Sequence, residues 1–241
     1  MGRATHTIRG HTLSASGTAT GATPTPPRSR LTRRLLQLYI GLALYGASSA
    51  LLVRSGLGLE PWNVLHQGIA ERTGMTIGVV SIFVGAAVLL LWIPLRQRPG
   101  LGTVSNVFVV GIAMDGTLAL VPDAHGLGLR IPLVVGGILL NGVATGLYIS
   151  ARFGPGPRDG LMTGLHQVTG RSIRLMRTAI EVAVVATGFV LGGTVGIGTV
   201  AYALAIGPLA QLFLRMFAIP SADGRSTVVA ASPPKRAILR R

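Results

Sequence analysis

Gly100-Leu-Gly-Thr-Val104, with Gly111 beyond it, opens a long apolar run, and Gly196-Ile-Gly-Thr-Val200, with Gly207 beyond it, opens another. The second run begins 96 residues after the first, and the same offset relates Thr73-Gly-Met-Thr-Ile77 to Thr169-Gly-Arg-Ser-Ile173. Further upstream, Arg54-Ser-Gly-Leu-Gly58 answers Arg152-Phe-Gly-Pro-Gly156, at an offset of 98. A membrane chain made of two related halves places its binding site where the halves meet, near the bilayer midplane. The pattern therefore predicts where a site lies before it says what the site does.

Composition sets the class. Hydrophobic residues make up 49% of the 241, only 12% are charged, and mean hydropathy is +0.58. A soluble domain carries about a quarter charged residues. Six segments, at about 35–53, 77–95, 101–121, 131–151, 174–192 and 197–215, approach the roughly 20 apolar residues that cross a bilayer. The expected fold is an all-α polytopic helical membrane protein of two pseudo-symmetric halves. Repeat one covers about 35–121 and repeat two about 131–215, within a membrane domain at 31–217. Residues 1–30 and 218–241 read as flexible basic tails, because they lack apolar periodicity.

A net charge of +15 suggests nucleic acid until its distribution is considered. Residues 1–34 hold six Arg and no acid, and residues 215–241 hold six Lys or Arg against Asp223 alone, so the two tails carry +11 of it. Basic flanks of membrane segments favour the cytoplasmic face and anionic headgroups. The expected partner is the lipid bilayer, with no nucleic acid. With no cysteine, disulfides and thiolate chemistry are excluded. Arg33-Arg34 precedes an apolar run too long for the usual export-signal core of about 7–15 residues, so the run reads as an uncleaved first helix.

With both termini cytoplasmic and six spans alternating, Arg96, Arg98, Arg152, Arg158 and Arg171 all fall inside, in line with the positive-inside rule. Two semi-polar stretches, 61–73 and 158–169, fall between the first two spans and between the fourth and fifth. A helix of that length rises about 18 Å, too little to cross alone, so each reads as a re-entrant or half-helix lining a cavity. Each half then has three spans, an odd number, which inverts one half relative to the other. The rival count is eight spans with a parallel repeat.

Both short stretches carry candidate contacts for a solute. Gly154-Pro-Gly-Pro-Arg-Asp-Gly-Leu-Met162 puts Arg158 and Asp159 at a helix start, where Pro157 suits the first position. Gly56-Leu-Gly-Leu-Glu-Pro-Trp-Asn63 offers Glu60 and Trp62 in the same way, although Trp also serves commonly at the headgroup level. Asp115 and Glu181 lie within predicted spans, where ionisable groups are costly and point to function. Glu181 shares a helix face with Arg177 and reads as an ion pair or proton-coupling group, whereas Asp115 has no evident local partner. His66-Gln67 and His166-Gln167 give one His per half, which makes no metal cluster and implies no cofactor. No Gly-x-Ser-x-Gly elbow, P-loop or nucleophile–base pair is present, so no enzyme is expected.

The chain resembles the YczE-like bacterial membrane proteins, sometimes grouped with YitT and YyaS. The likeness rests on Gly-Pro-Arg-Asp-Gly-Leu-Met at 156–162, Arg177-Thr-Ala-Ile-Glu181, Leu191-Gly-Gly193, Gly196-Ile-Gly-Thr199 and Ile206-Gly-Pro208. In the first half it rests on Pro61-Trp62, Thr73-Gly74, Trp92-Ile-Pro-Leu95 and Gly100-Leu-Gly-Thr103, and it covers about residues 33–217. Members often carry Asp where this chain has Glu60 and Asn63, so a charge role at position 63 is lost here. The resemblance implies a bacterial inner-membrane protein and leaves substrate and activity open. The leading expectation is a small-solute transporter or exporter with its site between the halves. The alternatives are a non-transporting accessory or scaffold protein for a membrane-associated pathway and a substrate-binding subunit of a multi-component importer. A second copy of the chain or a membrane partner protein fits any of these.

Overall fold

The computed structural model describes residues 28–217, so the tail expected at 218–241 and all but the end of that expected at 1–30 lie outside the described residues. Within them the chain forms eight helices: α1 (Arg28–Ser55), α2 (Pro61–Thr73), α3 (Ile77–Leu91), α4 (Leu101–Leu120), α5 (Leu127–Ser150), α6 (Pro157–Thr169), α7 (Ile173–Val190) and α8 (Ile197–Phe217).

Local chemistry sets the two short helices. Each has 13 residues and begins with Pro at its first position, where the missing N–H costs nothing. Each ends at a left-handed glycine, Gly74 or Gly170, whose N–H closes the last turn onto Ala70 O or His166 O at 2.9 Å. Thr76 and Ser172 then cap the following helices, each hydroxyl accepting from the amide three residues on. Between α2 and α3 the axis turns by 114°.

Helices α1 (over Leu31–Ser55), α4, α5 and α8 are long and apolar enough to cross a bilayer. The other two expected spans are not, by length and composition. Helix α3 has 15 residues, a rise of about 22 Å against a hydrocarbon core of about 30 Å. It stops early because Pro94 disfavours a helical residue before it, and turns follow to Arg96 at φ 53°. Helix α7 has 18 residues but carries Arg174, Arg177 and Glu181.

Helices α1 and α5 form the centre, α1 packing on α4 and α5, and α5 on α8. Small residues let the backbones approach. Gly41 of α1 lies against Ala144, Leu147 and Tyr148 of α5, and Gly137 of α5 against Ser48 and Leu52 of α1. Gly46 of α1 faces Val110, Ala113 and Met114 of α4, while Gly142 of α5 faces Leu209 and Phe213 of α8. Leu38, Leu42, Ala50, Leu52 and Ala144 are fully buried at this seam.

The loops entering the short helices reach across the molecule. Leu57 O accepts from Gly198 N–H at 2.9 Å, and Phe153 O accepts from Gly102 N–H at 2.8 Å. Gly58 (φ 124°) and Gly154 (φ 116°) make these turns, and a Cβ on either would run into the threonine at the opposed helix start, Thr199 or Thr103. Gly58 and Gly154 thus occupy similar positions, each at the turn before a short helix.

Helix α3 packs along α4, Gly78 lying on Gly111 O. Helix α7 has no comparable packing on α8, and nothing lies within 4 Å of where a Cβ on Gly207 would sit.

Candidate functional site

A cavity of about 290 Å³ lies at the centre, and each of the eight helices contributes to its wall. The first turns of α2 and α6 both reach it, bringing Trp62 from one and Gly156, Pro157, Arg158 and Asp159 from the other. Gly156, which has no side chain, gives α6 no side-chain cap.

Arg158 is the central group. Its guanidinium lies 5.1 Å from the centre of the Trp62 ring, a cation–π contact, and 3.6 Å from Glu60 Oε1. Among the described residues it makes no hydrogen bond, because Glu60 is engaged elsewhere. Glu60, 1% exposed, accepts from Asn63 Nδ2 at 2.7 Å, Ser49 Oγ at 3.1 Å and Tyr45 Oη at 3.3 Å. The carboxylate therefore balances the charge of Arg158 and leaves the guanidinium N–H groups free. Trp62 is 7% exposed, and its Nε1 also has no partner. It packs with Val88, Trp92 and Leu161 inside the protein.

Asp159 accepts from Tyr148 Oη at 3.1 Å on the same wall. His66 Nδ1 lies 2.9 Å from Asn63 Oδ1, which ties the cavity-lining imidazole to the Glu60 network. Arg177 reaches the wall from α7 and donates to Glu181 at 2.8 Å. Of the seven residues singled out from the sequence, Trp62, Arg158, Asp159 and Arg177 line the cavity, Glu60 stands behind Arg158, and Glu181 lies beside Arg177.

Asp115 is elsewhere. It lies in a separate depression with Arg54 and Glu71, where its carboxylate accepts from Gly78 N–H at 2.8 Å and from the Thr76 hydroxyl. As expected it has no partner nearby in the chain, and the partners it finds are remote ones: it closes the start of α3 and pins it to α4. His166 also leaves the site, its Nδ1 meeting Arg171 O at the exposed end of α6, while Gln67 accepts from Thr194 N–H. Among the described residues no three metal-type side chains converge.

Sequence reasoning missed the polar lining contributed by the long helices. Tyr202 Oη donates to Asn141 Oδ1 at 3.0 Å, and Asn141 Nδ2 donates to Ser48 Oγ at 2.9 Å. Tyr45, Tyr148, Asn106 and Gln211 also line the cavity. The available signal was amides and hydroxyls inside apolar runs, at Ser48-Ser49, Asn106 and Asn141.

A second hollow, about 630 Å³, runs between α7 and α8. Val182, Val185, Phe189, Val200 and Leu204 line it, with Pro61 and Glu181 in its wall as well. It shares no lining residue with the central cavity, but the Arg177–Glu181 ion pair, 2.8 Å long, has one partner in each wall.

This arrangement of apolar helices around a polar centre is that of a membrane protein. Residues 32–215 match a family model described as a family of unknown function (DUF6198). A protein of Haemophilus influenzae named only as uncharacterized is 42% identical over 181 residues, 75% of this chain and 83% of that one. The uncharacterized membrane protein YczE of Bacillus subtilis is 28% identical over 217 residues, 86% of this chain and 99% of its own. YyaS of the same organism is 26% identical over 179 residues, 73% of this chain and 89% of its own. The chain belongs to this YczE-like family of membrane proteins. No solved structure matches it.

Proposed function

We propose that the protein is a small-solute transporter or exporter of the bacterial cell membrane, with its solute held between two related, inverted halves. In this reading both termini are cytoplasmic, six helices cross, and α2 and α6 are half-helices that meet at the solute. Paired contacts support the two halves: Gly41 with Gly137, Gly46 with Gly142, and the Leu57 and Phe153 carbonyls each holding the start of a helix in the other half.

One observation carries the reading. Arg158 is held in an internal cavity with its charge balanced and its hydrogen-bond donors free. The guanidinium is partly exposed within the cavity, so its N–H groups are presented to whatever occupies it. Trp62 stacks against it, and Asp159 with Tyr148 offers an acceptor on the same wall. Of the two carboxylates suited to proton coupling, Glu181 adjoins a cavity-lining residue and Asp115 does not.

A thermal-shift screen of the purified full chain against metabolites, ions and antibiotics tests the reading. A ligand at about 100 times its dissociation constant stabilises by about 2.7 kcal/mol, and that shift should vanish in Arg158→Gln. Hits that persist in a folded Arg158→Gln protein would remove the cavity from the mechanism. Silence across the library with folded protein would favour the accessory reading.

A further inference from the structure

The two seams that flank the central cavity differ. The α3–α4 seam is shut, Gly78 lying on Gly111 O with Asp115 bridging to the Gly78 amide. At the corresponding places in the α7–α8 seam stand Arg174, Gly207 and Gln211. Gly207 and Gln211 line the central cavity there, and arginine in place of Gly78 leaves no glycine to repeat the close backbone contact of the first seam. The seam left open is the apolar groove, and Val182, Phe189, Val200 and Leu204 in it are each more than half exposed.

We infer that the ligand of the proposed cavity is a single-chain amphiphile with an oxyanion head, its head beside Arg158 and its chain in the α7–α8 groove. This rests on reading the cavity as a solute site. For a water-soluble solute, a seam open to hydrocarbon is a defect, since it brings Arg158 and Arg177 close to lipid, where charge is expensive. For an amphiphile the same seam lets the head reach polar partners while the chain never leaves an apolar medium. The head chemistry follows from the donors. The planar fork of Arg158, which makes no hydrogen bond among the described residues, matches the paired oxygens of a carboxylate or phosphate. Asp159 on the same wall sets a limit, favouring one negative group over a polyanion. The chain is placed by proximity, because Arg177 in the cavity wall pairs at 2.8 Å with Glu181 in the groove wall.

The test uses the full chain in phosphatidylcholine nanodiscs, with empty discs subtracted, and equilibrium binding of radiolabelled dodecyl phosphate, laurate, inorganic phosphate and acetate. Saturable binding of dodecyl phosphate or laurate is expected, with the chainless anion of the same head about 100-fold weaker. The stronger of the two amphiphiles identifies the head as phosphate or carboxylate. Filling the groove with Ala186→Leu and Ala203→Leu should weaken the amphiphile about tenfold and leave the chainless anion unchanged. Arg158→Gln, and Arg158→Lys as a second variant that keeps the charge without the fork, should each weaken both by about tenfold or more. Equal affinity with and without the chain, or an unaltered groove-filled protein, overturns the amphiphile and leaves the cavity reading standing. Binding of all four probes unchanged in folded Arg158 variants, or no binding by wild type, overturns the inference, and the former removes the cavity reading too.

Discussion

At position 60 a carboxylate with almost no exposure satisfies three neutral donors and still balances a guanidinium 3.6 Å away. Glu60→Ala should therefore destabilise by about 1–3 kcal/mol, the cost of leaving buried donors without an acceptor, while Glu60→Gln should lose less because an acceptor survives. Chemical denaturation in detergent checks both, and Glu60→Gln combined with Arg158→Gln should recover part of the loss. Two glycines make an equally sharp pair. Gly78→Ala drives a methyl into Gly111 O and the Asp115 carboxyl, an overpacking cost of about 1–3 kcal/mol, whereas Gly207→Ala meets nothing and should be neutral or stabilising by up to about 1 kcal/mol. At this scale the sequence was informative where a residue broke local expectation. Charges beside Pro and Gly at 154–162 led to Arg158 and Asp159. It was silent on Asp115, whose partners Thr76 and Gly78 are remote in the chain and meet it only after α3 folds against α4.

Among the elements, α2 and α6 were legible because Pro starts and Gly stops them, which is chemistry confined to a few adjacent residues. The end of α3 was not, since apolar residues continue to Leu95 and only Pro94 marks the break. The Asp115 contact belongs to this scale, because it fixes a whole helix. Asp115→Ala should cost about 1.5–3 kcal/mol and raise amide exchange at the first turn of α3, with little change at the start of α7, where Ser172 caps unaided. Equal loosening of both helices would deny Asp115 that role.

For the molecule as a whole, apolar runs revealed the long helices, but nothing local announced that α1 would lie along α5 or that the α7–α8 seam would stay open. Those facts depend on which small residues face each other across the fold. The orientation proposed for it is open to direct test, since the chain has no cysteine. Gln97→Cys, in the turn that meets Gln167 of α6, should react with impermeant maleimide only from the cytoplasmic side of right-side-out vesicles that have been opened. Labelling in intact vesicles would favour eight crossings.

The carbonyls of Leu57 and Phe153 each hold the start of a helix that lies far along the chain, Gly198 for one and Gly102 for the other. While a ribosome is still making α8, the loop before α2 has no amide to receive its carbonyl, and the first four helices must wait in the bilayer with that site unfilled. Insertion is therefore sequential but assembly is not. A gene cut within the 121–126 linker should yield two fragments that are degraded when made singly and persist only when made together.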